Sequence, residues 1–261
     1  MLRKDFIFIV SVFIIFFAVN YPFLDRAITG FLTENDFQIS HVDRIIDGDT
    51  IKIGNQSVRL LGINTPESGE KYSDEAKEYL SKNILNERIS LEFGKEKYDL
   101  YRRILAYVLK DGENINLKIV ENGFANYYFP SGKDKYYEDF KTAWEKCIDS
   151  NKNLCEKSKD ICSECIVLRE LDVQKDRAVF QNVCSFRCDL TNWNIKDEGR
   201  KHFLFYNIGI DGNSDFAVIT GNGTDDEKTL FWKDEEYVWT KSGDTLFLRD
   251  SDGLLVLWHG Y

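Results

Sequence analysis

A chain of 261 residues exceeds the usual size of a single domain, so two domains are expected. Hydrophobic residues at 43%, with only three prolines, exclude a disordered chain. The formal charge of −10 excludes a uniformly basic nucleic-acid binder, and it is unevenly spread: residues 40–158 carry net −2 and residues 159–261 net −7. Phosphate contacts are therefore expected only in the nearly neutral first part, from a few converging arginines and a bound divalent cation.

Arg3 and Lys4 precede Phe6–Val19, an apolar run broken only by Ser11, which is the pattern of an export signal. Asn20, Tyr21 and Pro22 offer no good cleavage site, so an uncleaved membrane anchor over residues 1–24 is favoured over a removed signal peptide. Either way the remainder is expected outside the cell, anchored or secreted. Residues 25–36 read as a spacer.

Three β-rich runs follow, Phe37–Asp47, Thr50–Ile53 and Ser57–Ile63, separated by Asp47-Gly48 and Gly54-Asn55 turns. Ser73 is expected to cap a helix running to about Leu85, with Ala76, Tyr79, Leu80 and Ile84 on one face. Strands return at Arg88–Phe93 and Arg103–Leu109. A short helix is expected from about Asn116 to Gly123. Another around Tyr137–Ile148 places Tyr137, Phe140, Trp144 and Ile148 at core spacing. After Ile166 the helical period disappears, and seven short strands predict a β-sandwich whose last two form a hairpin across Ser251-Asp252-Gly253.

Six cysteines lie between Cys147 and Cys188. Disulfides stapling the domain junction suit an exported chain, while Cys162-Ser-Glu-Cys165 with Cys184 and Cys188 has the spacing of a zinc site. The export signal favours the disulfides, with fifteen pairings open.

The chemistry-bearing residues gather at two strand ends. Asp49 offers a carboxylate, Asn64 an amide oxygen and Thr65 a backbone carbonyl, hard donors of the kind calcium or magnesium takes. Pro66 restricts Thr65 to extended backbone and so sets the angle of Glu67, a candidate general base. Arg59 and Arg103 supply two guanidiniums for one phosphate.

Asp-Gly-Asp-Thr at 47–50, Arg59-Leu-Leu-Gly-Ile-Asn-Thr-Pro-Glu67, Glu70–Ala76, Tyr101-Arg-Arg-Ile-Leu-Ala-Tyr107 and Asn116–Gly123 together resemble the staphylococcal nuclease (thermonuclease) family over about residues 37–158. The resemblance implies an OB-fold β-barrel with helices and calcium-dependent hydrolysis of DNA or RNA to 3′-phosphate ends. By position it implies Asp49, Asn64 and Thr65 as calcium ligands, Arg59, Glu67 and Arg103 as catalytic residues, and Tyr101 as a substrate contact, with Arg102 expected to bind substrate in place of the cation missing at Leu100. The founding member carries aspartate where this chain has Asn64, lysine where it has Leu100 and glycine where it has Arg102. A second aromatic contact is expected from Tyr127, Tyr128 or Phe129.

Residues 159–164 read as a cysteine-containing linker. Beyond it, Cys188–Asp197, Thr220–Gly223, Leu230–Trp232, Trp239 and Gly243–Asp250 resemble a lamin-tail domain, which implies an immunoglobulin-like β-sandwich over residues 165–261 with no known chemistry and no readable ligand. The fold expected for the whole chain is thus mainly β with helices. The alternatives to an enzyme are a non-catalytic nucleic-acid-binding module and a surface structural or adhesive protein.

Overall fold

Apolar alternation in the first part of the chain builds one seven-stranded sheet in the computed structural model, which describes residues 37–261. The expected anchor or signal and the spacer lie outside the described residues. Among the described residues no helix is long and apolar enough to cross a membrane. Strands β1 (Phe37–His41), β2 (Arg44–Ile45), β3 (Thr50–Ile53), β4 (Gln56–Leu60), β6 (Arg88–Tyr98) and β7 (Ile104–Lys110) run in the order β1-β6-β7-β4-β3-β2, with β8 (Glu113–Asn114) on β7. This half-barrel fits the OB-type nuclease fold. Two short strands, β5 (Ile63–Asn64) and β9 (Asn126–Tyr127), pair separately.

Helix α1 (Ser73–Ile84) buries Ala76, Leu80 and Ile84, one residue per turn, as the period predicts. Ser73 is not its cap. The capping position is Tyr72, in the left-handed region at φ 70° and without a side-chain cap; its carbonyl accepts from Ala76 N at 3.0 Å, so Ser73 is already the first residue of the helix. Helix α2 (Ile115–Glu121) begins earlier than expected, since the Asn114 side chain accepts from Leu117 N. Helix α3 (Tyr137–Ser150) buries Phe140 and Trp144 in the core, with Tyr137 and Ile148 packed beside them.

The second part holds a four-stranded sheet of β10 (Ile166–Asp172), β11 (Arg177–Asn182), β16 (Ser214–Thr220) and β17 (Thr229–Trp232). A second one has the order β14 (His202–Leu204), β13 (Asn194–Lys196), β18 (Thr245–Arg249), β19 (Leu255–Gly260). A two-stranded pair, β12 (Cys188–Asp189) with β15 (Gly209–Ile210), completes it. These sheets are compatible with a sandwich. Three of the strands, β12, β13 and β15, were not expected from sequence; at two or three residues they are too short to show a period. The predicted hairpin is present as β18–β19.

The two parts pack through β18. Leu246 and Leu248 enter the core of the second part, while Phe247 belongs to the core of the first, its ring 5.4 Å from that of Trp144. Thr245 and Arg249, on the same side as Phe247, bond to Tyr127 OH and Leu154 O. The six cysteines form Cys147–Cys155, Cys162–Cys188 and Cys165–Cys184, leaving none for zinc. They brace the chain on either side of the junction and not across it. The junction itself is stitched by backbone bonds of Glu156 and Ser158 with Leu255.

Candidate active site

Strand register brings the first pair of predicted residues together. Thr50 on β3 stands opposite Arg59 on β4, so Asp49, one residue earlier, meets the Arg59 guanidinium at 3.0 Å. Both are buried. The turn before Asp49 needs glycine for space: a Cβ on Gly48 would lie 2.8 Å from Ala76 Cβ on α1 and 2.9 Å from Thr65 Cγ2. That close approach lets Thr65 donate to Asp49 Oδ2 from its amide (3.2 Å) and its hydroxyl (3.1 Å). Asp49, Arg59 and Thr65 thus form one buried unit.

Burial, reinforced by the nearby positive charge of Arg103, lowers the Arg59 guanidinium from its usual value against the opposing pull of Asp49. Burial and the charge of Asp49 push the neighbouring Asp47 carboxyl upward. Two carboxylates therefore share a corner with the Arg59 guanidinium, and the remaining groups there, the Thr65 carbonyl and the Asn64 side-chain oxygen, are oxygen donors. That chemistry fits a hard dication. Among the described residues no three His, Cys, Asp or Glu side chains form a metal cage, so any such ion would depend on amide, carbonyl and water oxygens beside the carboxylates.

Arg103 arrives through a second register. Strands β4 and β7 run parallel with Arg59 opposite Leu105, and Arg103 leads into β7 at the same end. Its loop is organised by Asp99, which accepts from Tyr101 N, Arg103 N and Arg103 Nε at 2.6–2.9 Å. Burial works to raise the Asp99 carboxyl, but these donors and the Arg103 charge hold it below the usual value. The tip is open to solvent: Leu100 is 99% and Tyr101 78% exposed. Arg102 sits at φ 62°, the left-handed backbone that explains the glycine expected there in the founding member.

Glu67 is exposed, and its partner is Arg200 of the second part, Nε to Oε1 at 3.0 Å. The side chain of Asn64 is buried and turned between the halves. Its Nδ2 donates to Gly199 O at 2.7 Å and more weakly to Glu198 O, which leaves Oδ1 facing Arg59 Nη2 at 3.4 Å. Of the three candidate aromatics, Tyr127 and Phe129 are in the core. Tyr128 lies by the site: burial raises its hydroxyl, while the charges of Arg59 and Arg200 oppose that shift. Sequence reasoning missed Gly199 and Arg200. The bond from Asn64 to Gly199 spans 135 residues of chain, and no local motif marks the loop that carries it.

Comparison with known proteins supplies the context. A family model described as staphylococcal nuclease homologue matches residues 57–157, which includes Arg59, Asn64, Thr65, Glu67 and Tyr101–Arg103 but begins after Asp49. The chain is 32% identical over 133 residues to a thermonuclease of Staphylococcus hyicus, covering 47% of this chain and 79% of that protein. It is 38% identical over 105 residues to a thermonuclease of Staphylococcus intermedius, covering 36% of this chain and 62% of the relative. A 33% match over 125 residues to endonuclease YhcR of Bacillus subtilis covers 39% of this chain and 10% of that much longer protein.

Proposed function

The chain belongs to the staphylococcal nuclease family, and from that premise we propose that it is an extracellular, calcium-dependent endonuclease hydrolysing DNA or RNA to 3′-phosphate products. The observation that carries this reading is the buried Asp49–Arg59 pair locked to Thr65, with Arg103 and the exposed Glu67 at the same strand ends. A guanidinium withdrawn from water is costly to keep unless its charge is used.

In this mechanism Arg59 and Arg103 grip the non-bridging oxygens of the scissile phosphate, where charge grows as the reaction proceeds. Glu67 accepts a proton from the attacking water, whose oxygen bonds to phosphorus as the P–O5′ bond breaks and the departing 5′ oxygen takes a proton from solvent. Tyr101 offers its open ring face to a base, a contact tolerant of sequence, and Arg102 adds charge beside it. Asp49, the Asn64 side-chain oxygen and the Thr65 carbonyl would hold calcium, which when bound supplies positive charge beside the phosphate.

Export is supported by Phe6–Val19 in the sequence and by three disulfides, which persist in oxidising compartments. The second part, a lamin-tail-type sandwich in this reading, brings no reaction of its own. Incubating the purified protein with plasmid DNA and with RNA, in calcium and in chelator, tests the proposal. Calcium-dependent cleavage is expected; binding without cleavage in every condition would leave a nucleic-acid-binding module instead.

A further inference from the structure

The site described above is bounded on one side by a loop from the other half of the chain. Residues Asp197–Lys201 close on themselves, with Asp197 N bonded to Lys201 O at 3.1 Å and Lys201 N to Asp197 Oδ1 at 2.9 Å. Three buried bonds fix this loop in place. Asn64 Nδ2 holds Gly199 O, Phe129 N donates to Glu198 Oε1 at 3.1 Å, and Glu198 N donates to Asp244 Oδ1 at 3.2 Å. A further tie lies next to them, where Lys196 pairs with Glu70 at 3.0 Å. The backbone of Arg200 is thereby held at the mouth of the site, while its side chain stays 67% exposed and reaches Glu67.

We propose that Arg200 is a substrate-binding residue of the nuclease site, a third guanidinium delivered by the second part of the chain to the phosphodiester backbone entering beside Glu67. The inference rests on the nuclease reading.

Charge bookkeeping favours it. The first part is net −2, so each guanidinium that converges there counts, and the charges of Arg59 and Arg103 are partly offset by Asp49 and Asp99. Among the described residues the acidic partner of Arg200 is Glu67, across an exposed contact. Pairs of that kind hold together with an equilibrium constant of no more than about five, so an incoming phosphate, which takes a planar fork in two-point contact, exchanges readily for the carboxylate. The same weakness argues against an inhibitory latch, since a fivefold occupancy bias cannot silence an enzyme. Release of Arg200 to the substrate also frees Glu67 at the moment its carboxylate is required.

The test uses the full chain with Arg200→Ala and Arg200→Lys. Binding of a labelled single-stranded oligonucleotide is followed by fluorescence anisotropy in chelator, across a salt series, and cleavage of the same strand is followed in calcium. Arg200→Ala is expected to weaken binding about 5- to 10-fold, with the loss falling on KM more than on kcat. The slope of log affinity against log salt should become shallower by about 0.7, one phosphate contact on a single strand. Arg200→Lys should recover the slope and part of the affinity. Unchanged binding and KM in Arg200→Ala overturns the inference and leaves the nuclease reading standing, as does a rise in kcat/KM, which would mark an inhibitory contact. A wild-type protein that neither binds nor cleaves any nucleic acid removes both.

Discussion

Replacing Asn64 by aspartate sets two uses of one side chain against each other. The resemblance to the nuclease family makes residue 64 a calcium ligand, and aspartate there should lower the calcium needed for half-maximal cleavage. The structure also gives the amide a task that a carboxylate cannot perform, donating to Gly199 O at 2.7 Å and Glu198 O at 3.4 Å across the interface between the halves. An aspartate would present an acceptor to two acceptors and leave a buried carbonyl unpaired, at a cost of about 1–3 kcal/mol. The new charge would face Arg59, but Arg59 is already paired with Asp49 at 3.0 Å, so the two fields largely cancel and the lost donor dominates. For a protein of this size the expected fall in Tm is roughly 2–12 °C. Thermal melts in chelator of wild type, Asn64→Asp and Asn64→Ala measure it, with the alanine variant expected between the other two. An aspartate variant as stable as wild type would show that the amide does not hold the interface.

Glu67→Gln should leave Tm unchanged, since the side chain is exposed, and slow cleavage on the order of 10²-fold or more; single-turnover rates near wild type would remove Glu67 from proton transfer. Burial, with the charge of Asp244, lifts the Asp197 carboxyl from 3.8 to about 7, and burial foremost lifts Glu198 from 4.5 to about 8. The folded protein therefore holds protons that the unfolded chain releases. Their contribution to stability is complete below about pH 4 and is lost as pH rises through 7 and 8. Melts from pH 5 to 8.5 should show this decline, and Glu198→Gln should flatten it; parallel curves for the two proteins would contradict the assignment. Non-reducing peptide mapping should find Cys147–Cys155, Cys162–Cys188 and Cys165–Cys184. Removing either of the latter two should cost about 2–4 kcal/mol in denaturant melts, because each closes a loop of around twenty residues or more in the unfolded chain. Different pairings, or reduction without loss of stability, would refute the bracing role.

What the sequence by itself determined lies within the reach of a helical turn or a strand repeat. Ala76, Leu80 and Ile84 recur at the helical period, and α1 forms where they do. Asp47-Gly48 marks a turn because only a missing Cβ lets Thr65 close on Asp49. The family motifs were legible for the same reason, since each is a short contiguous run of residues. Tertiary structure decided the rest. The run Thr245–Arg249 reads as an undivided strand, yet its alternate residues serve two different cores, because a side chain's direction has a period of two while its destination depends on what packs against each face. Cysteine pairing was likewise open in sequence, since the distance between sulfurs follows from the folded path and not from spacing. Asn64 meets Gly199 across 135 residues of chain and Glu67 meets Arg200 from the same loop, and contacts of that range become visible only when the chain has folded back on itself.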